Sequence, residues 1–109
     1  MNISFAGFGE NVLTFECINT VKMGDLVKMF ASGKVTKAAA NDSFIGVCVG
    51  ERDGYAAVQL EGYVEAARSG TVNVGYNKLV AANSGVKAAE SGIDRLVVYT
   101  DDSTVGFIL

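Results

Sequence analysis

Residues 23–38 and 74–88 carry one pattern twice, about fifty residues apart. Each copy opens on a glycine (Gly24, Gly75) and enters an apolar pair, Leu26-Val27 or Leu79-Val80. Each turns at Ser32-Gly33 or Ser84-Gly85 and leaves through Val35 to Lys37-Ala38 or Val86 to Lys87-Ala88. Short apolar runs punctuated by glycine and serine read as strands joined by tight turns. A hairpin stated twice, with no reactive side chain in its turns, points to a scaffold.

The rest of the chain alternates with a period of two and shows no sustained helical period. From Val12 to Val21, Leu13, Phe15 and Cys17 fall on one side and Thr14 and Glu16 on the other, as in a half-buried strand. Phe44 to Glu51 is apolar on both sides, which predicts a central strand covered on both faces. Arg52-Asp53-Gly54 is the clearest hairpin turn, because Asp-Gly tolerates the positive φ angles of a tight primed turn. The returning strand, Tyr55 to Glu61, places Ala56, Val58 and Leu60 inward with Gln59 and Glu61 outward. Gly62 marks a bend before Tyr63 to Ala67. Ser69 to Gly75 reads as a link to the second hairpin. The chain closes with strands at Arg95 to Thr100 and Thr104 to Leu109, where Val105, Phe107 and Leu109 share a face. Lys37 to Asp42 fits either one helical turn or a loop.

About nine or ten short strands at this spacing predict an all-β fold, a single compact β-barrel or sandwich of short antiparallel strands. Residues 1–10 contain Phe5-Ala6-Gly7-Phe8-Gly9 and lack the strand pattern, so they read as a flexible N-terminal arm ahead of one domain at 11–109. The chain's length suffices for one core without staples.

Composition narrows function by exclusion. Half of the residues are hydrophobic and 19% are charged, which fits a globular chain. The formal net charge of -3 and singly scattered Lys and Arg provide no footprint for nucleic acid. The longest strongly apolar run, Phe44 to Val49, is too short for a membrane span, and the N-terminus lacks a signal-peptide pattern. Histidine is absent, which removes the commonest general base near neutral pH. Cys17 and Cys48 lie in apolar runs and read as buried free thiols, without the paired spacing of a metal site.

The remaining chemical candidates each have a structural reading. Asp25 follows a glycine, where an aspartate bonds its own turn. Glu61 and Glu65 straddle Gly62 and form a carboxylate pair only if the chain stays regular there. Asp101-Asp102-Ser103 lacks the further oxygen ligands of a calcium loop. Ser32, Ser69, Ser84 and Ser103 lie in turns without a base. A small hydrolase working through Asp25 or through Glu61 and Glu65 is the enzyme reading, and it has the least support. No catalytic residue, cofactor, metal or small-molecule substrate is expected. Two features suit an interaction surface: Phe5 and Phe8 in the arm, and the tyrosines Tyr55, Tyr63 and Tyr76.

In order along the chain stand Gly24-Asp25-Leu26-Val27, Gly33-Lys34-Val35 and Ile45-Gly46-Val47-Cys48-Val49. Gly62-Tyr63-Val64-Glu65-Ala66, Val74-Gly75 and Ser84-Gly85-Val86 follow. This order, from about Lys22 to the C-terminus, resembles the phage and prophage proteins that decorate capsids, known as cement or head-stabilising proteins. The resemblance implies a compact barrel-like fold, frequently a homotrimer, made in the bacterial host cytoplasm and carried on the virion surface. It implies the major capsid protein as partner and no catalytic residues. Some members attach through an N-terminal arm, a role that would fall here on Met1 to Glu10 with Phe5 and Phe8 as shell contacts. The alternative is a non-catalytic β-domain that binds carbohydrate or peptide within a phage tail or secreted assembly, with Tyr55 or Tyr63 as contacts.

Overall fold

A computed structural model describes residues 11–83 and 85–109. The expected arm, with Phe5 and Phe8, and the turn residue Ser84 lie outside the described residues. The rest is all-β. The strands are β1 (Asn11–Cys17), β2 (Leu26–Ala31), β3 (Lys34–Lys37), β4 (Gly46–Arg52), β5 (Tyr55–Glu61), β6 (Tyr63–Ala67), β7 (Gly75–Ala82), β8 (Gly85–Ala88), β9 (Ile93–Thr100) and β10 (Thr104–Ile108). Strands β1 to β5 form a closed barrel in the order β1-β3-β2-β4-β5. Strands β6 to β10 form a second, 5-stranded sheet in the order β6-β10-β9-β7-β8.

Read from β8, the second order is the barrel order over again, with β6 standing for β1 and so on to β10 for β5. Most ladders are antiparallel, and the closures are the exception. In the barrel, β1 meets β3 in parallel at Glu16↔Lys34 and Cys17↔Val35. In the second sheet, one isolated parallel bridge, Arg68↔Val86, joins the end of β6 to β8. The bonds beyond match as well: Ile18 N–H donates to the Val35 carbonyl at 2.8 Å, and Ser69 N–H to the Val86 carbonyl at 2.8 Å.

Matched positions fill the two interiors. Val21, Val35, Cys48, Ala56 and Val58 are fully buried in the barrel, and Val72, Val86, Val97, Val105 and Phe107 are their counterparts in the second sheet. The barrel cluster also holds Val27, with Phe15, Cys17, Ile45 and Leu60 packed against it. The second cluster reaches across: Leu26, Ala38 and Phe44 of the barrel half lie in it with Val64, Leu79 and Phe107. Burial of each such side chain stabilises the fold by roughly 1.5–3 kcal/mol, so this cluster binds the two sheets together.

The repeated hairpins are β2–β3 and β7–β8, one in each sheet. Their alignment is less simple than the sequence suggests. Anchored on Val35 and Val86, Met29 corresponds to Ala81 and Val27 to Leu79. A bulge between Met29 and Ala31 puts one extra residue, Phe30, into the first hairpin and leaves its ring exposed. The repeat also begins earlier than the hairpin. Thr20-Val21 and Thr71-Val72 stand at the same spacing before Gly24 and Gly75, and each valine plugs its own interior. Asn19 (φ 66) and Gly70 (φ 73) adopt the same left-handed backbone at matched places. The segment expected to be a link is therefore the first part of the second copy.

The Asp53-Gly54 turn is as expected, with φ of 54 and 83 between Arg52 and Tyr55. Other expectations need correcting. The first strand stops at Cys17, because the chain leaves the ladder to deliver Val21 into the barrel. Gly46 and Cys48 are buried, but Val49 is exposed, so β4 is covered on both faces only at its start. Gln59 is buried, not outward, because the second half covers that face of β5; its amide donates to the carbonyls of Glu61 (2.9 Å) and Tyr63 (3.3 Å). A Cβ at Gly46 would overlap the Gln59 carbonyl, which explains the glycine in that strand. Residues 38–42 form a loop, whose Asn41 N–H and Asp42 carbonyl pair with the carbonyl and N–H of Ala81 at 2.8 Å each.

Candidate functional site

The joint between the two halves is the best-built feature of the surface and interior together. Arg95, from β9, donates through its guanidinium to the Phe44 carbonyl at 2.7 Å and lies 5.0 Å over the Phe44 ring. Burial pushes this guanidinium below its ordinary pKa. Phe44 in turn meets the Phe107 ring edge-on, with centroids 5.9 Å apart. A cation over an aromatic face and an edge-on ring pair contribute about 0.5–2 kcal/mol each. These contacts hold the two halves together.

Beside this joint runs a cleft of about 380 Å³ between the first hairpin, β6 and the tip of the second hairpin. Its charged walls are Asp25, Lys37 and Glu65, and Ala66, Ala82 and Gly85 form much of the rest. Asp25 acts as expected of a turn aspartate. Its carboxylate accepts the Lys22 N–H at 2.8 Å and sits 3.8 Å from Lys37 Nζ. Glu65 accepts the Tyr63 hydroxyl at 2.7 Å. Glu61 ends β5 and Glu65 lies within β6, so the chain does not stay regular across Gly62 and the two carboxylates are divided between the barrel and the second sheet. Gly62, with φ of 100, makes that division.

The acidic turn is likewise a structural device. One Asp101 oxygen accepts the N–H groups of Ser103 (2.9 Å) and Thr104 (2.8 Å), and the other accepts the Tyr99 hydroxyl at 2.6 Å. The Tyr99 hydroxyl and those N–H groups hold the Asp101 carboxyl below its ordinary value, and the same bond raises the Tyr99 phenol. Among the described residues no group of three or more His, Cys, Asp or Glu side chains stands where it could hold a metal ion. Cys17 and Cys48 are free thiols in the barrel cluster, and burial pushes both upward in pKa. No helix among the described residues is long and apolar enough to cross a membrane, which says nothing of strands.

The tyrosines do not share a ladder. Tyr55 pairs with Glu16 and Arg52 in the barrel, Tyr63 with Ile108, and Tyr76 with Leu96. Tyr55 and Tyr76 are exposed, while Tyr63 is half-buried over Gly106, where any Cβ would strike its ring. Burial, then Glu65, raise its phenol above the ordinary range. Exposed apolar residues not singled out by sequence are more numerous. Met23 and Val74 occupy matched places before Gly24 and Gly75 and both project into solvent. Leu13, Met29, Phe30 and Ile93 are also exposed. Aligning the two copies outward from their glycines would have found Met23 and Val74, and the extra residue would have marked Phe30.

Compared with family models, curated proteins and solved structures, the chain gives no match.

Proposed function

We propose that this chain is a non-catalytic structural subunit that decorates a capsid, binding the major capsid protein on the virion surface and stabilising the head as a homotrimer. The observation that carries the reading is the pair Met23 and Val74: one exposed apolar side chain at the same place in each of two like halves. Exposed apolar groups cost little in isolation, but repetition at matched sites suits a partner that itself presents a repeating surface. The carboxylates that sequence offered as acids are occupied in holding turns or divided between sheets, which favours a scaffold. The order of glycine turns between valine-rich strands, which resembles decoration proteins, points the same way. Many weak contacts at symmetric sites strengthen a shell beyond any single affinity.

The test is co-sedimentation with shells assembled from phage major capsid proteins. Binding should saturate at a fixed ratio per capsomer and raise the temperature at which the shell ruptures. Met23→Asp with Val74→Asp should weaken binding by roughly tenfold or more while leaving the melting temperature of the free subunit unchanged. Absence of binding to any such shell would remove the reading and return the field to a peptide- or carbohydrate-binding module.

A further inference from the structure

Strand β6 is an edge strand of the second sheet, with β10 beside it on one side only. Its ladder fixes which backbone groups turn outward. The Gly62 carbonyl accepts the Leu109 N–H at 2.9 Å, and Arg68 N–H donates to the Ser103 carbonyl at 3.0 Å. The register between those two bonds is unbroken. Backbone groups alternate between the two edges of a strand, so Val64 and Ala66 also bond to β10. Tyr63, Glu65 and Ala67 direct their N–H and C=O groups to the opposite edge. At the Ala67 end that edge is closed by the bridge from Arg68 to Val86. At Glu65 no strand of the described residues lies alongside.

This open edge continues one that is already filled. Strand β1 lies antiparallel on β5, and its first described rung sets Asn11 opposite Glu61, just across Gly62 from Tyr63. The Gln59 amide donates to the carbonyls of both Glu61 (2.9 Å) and Tyr63 (3.3 Å), so those two carbonyls face the same way. A chain followed backward from Asn11 along this line meets Tyr63 with Gly9 and Glu65 with Gly7. An extended strand advances about 3.3 Å per residue. Four residues therefore reach Glu65, and ten precede Asn11.

The cleft of about 380 Å³ lies beside the same stretch of β6. Side chains opposite each other in a ladder share a face. Phe8 then falls opposite Val64 and Ala6 opposite Ala66, on the face of β6 that turns inward to Leu26 and Val47. Asp25 and Lys37 on the cleft walls already pair with each other at 3.8 Å, and Glu65 holds the Tyr63 hydroxyl. The cleft thus favours an apolar guest over an ion.

We infer that residues 6–10 continue β1 as a strap along β6 of their own chain, with Gly7 opposite Glu65 and the Phe8 ring in the cleft. Continuity fixes the occupant: the segment is tethered at the rung next to the open edge, where its effective concentration exceeds that of any separate chain. Gly7 and Gly9 give it little strand propensity of its own, so only the waiting edge makes it a strand. The strap ties the barrel to the second sheet by backbone bonds, as Arg95 and Phe44 do by side chains. It also covers an edge that would otherwise invite another chain. The inference stands apart from shell binding, which was argued from Met23 and Val74.

The experiment is amide hydrogen exchange of the full chain, read residue by residue by NMR at two protein concentrations. The Glu65 N–H should be protected. Gly7→Pro removes the N–H that would meet the Glu65 carbonyl, and Phe8→Asp puts a charge where the ring would sit. Each should speed exchange at Glu65 by roughly tenfold or more. The amides of Val64 and Ala66, which bond to β10, should exchange as before and so show that both variants are folded. Fast exchange at Glu65 in the unaltered chain overturns the inference. So does protection that neither substitution lowers, since something other than the strap then covers the edge. Protection that grows with protein concentration overturns it as well, by giving the edge to the arm of a neighbouring copy.

Discussion

The barrel and the second sheet use one strand order and close it by different chemistry. In the barrel, β1 and β3 meet at Glu16 and Lys34, whose charged ends lie 3.6 Å apart. At the matched place in the second sheet stand Ala67 and Gly85, and β8 comes so near that a Cβ on Gly85 would overlap the Ala67 carbonyl. The hairpins differ as well. Gly75 stands one residue further from Leu79 than Gly24 does from its counterpart Val27, and the longer β7 pairs with β9 over five positions where β2 and β4 pair over two. One plan thus tolerates a change of side chain at its seam and a change of length in its hairpin. The five matched pairs that fill the two interiors do not vary in burial, so those positions carry the plan.

The sharpest way to break the comparison is to truncate matched residues of unequal burial. Phe44→Ala removes a ring wedged between Arg95 and Phe107 and should cost about 3–5 kcal/mol in urea denaturation. Ile93→Ala, its counterpart, should change the monomer's stability by less than about 0.5 kcal/mol. Equal losses would show that the two faces are covered alike. Next in size come the seams. Gly85→Ala should cost about 1–3 kcal/mol from overpacking, with strain added by its φ of 103. Lys34→Ala should cost less than about 1 kcal/mol, because an exposed ion pair is weak and screened by salt. Denaturation at low and high salt separates the two, since only the lysine variant should lose its deficit as salt rises.

A third comparison uses the thiols, both of which lie in the barrel. Cys48 is fully buried with a raised pKa, so a thiol reagent at neutral pH should label it only as fast as the barrel opens. Prompt labelling in native buffer would show that the barrel frays while the second sheet holds. The smallest effect is on pH. Asp42 is held below its ordinary value of 3.8 by the Lys28 ammonium at 2.6 Å and by the Ala39 N–H. Asp101 is held down in the second sheet by Tyr99 and two N–H groups. A carboxyl lowered in the folded state stabilises it above the unfolded value and loses that contribution as pH falls through the folded one. Stability should therefore stay level near neutrality and decline below about pH 4. Asp42→Asn and Asp101→Asn should each flatten part of that decline.

Much of this fold was legible in the residues. Asp53-Gly54 specifies its turn by φ alone, the two hairpins declare themselves by glycine spacing, and Val105, Phe107 and Leu109 share a face by parity. What escaped depends on contacts between distant segments. Gln59 has the parity of an outward residue, and only the second half makes its face interior. The stacking of Arg95 on Phe44 joins residues far apart in sequence and leaves no local trace. The match of Thr20-Val21 with Thr71-Val72 was readable, but glycine and asparagine around it resemble an ordinary loop. The tyrosines were singled out for chemistry common to all exposed aromatics, which places none of them beside another.

The sharing of Leu26, Ala38 and Phe44 with the second cluster has a consequence during synthesis. A ribosome that has released residues up to about 61 has delivered every strand of the barrel, so its hydrogen-bond ladders can be complete. The three side chains then face water until β6, β7 and β10 emerge, because their companions are Val64, Leu79 and Phe107. Translation of the second half is thus the period in which the nascent chain shows an apolar patch to its surroundings. A chain truncated just after β5 would be a closed barrel with a sticky base, and crowding on a polysome would set such bases against one another.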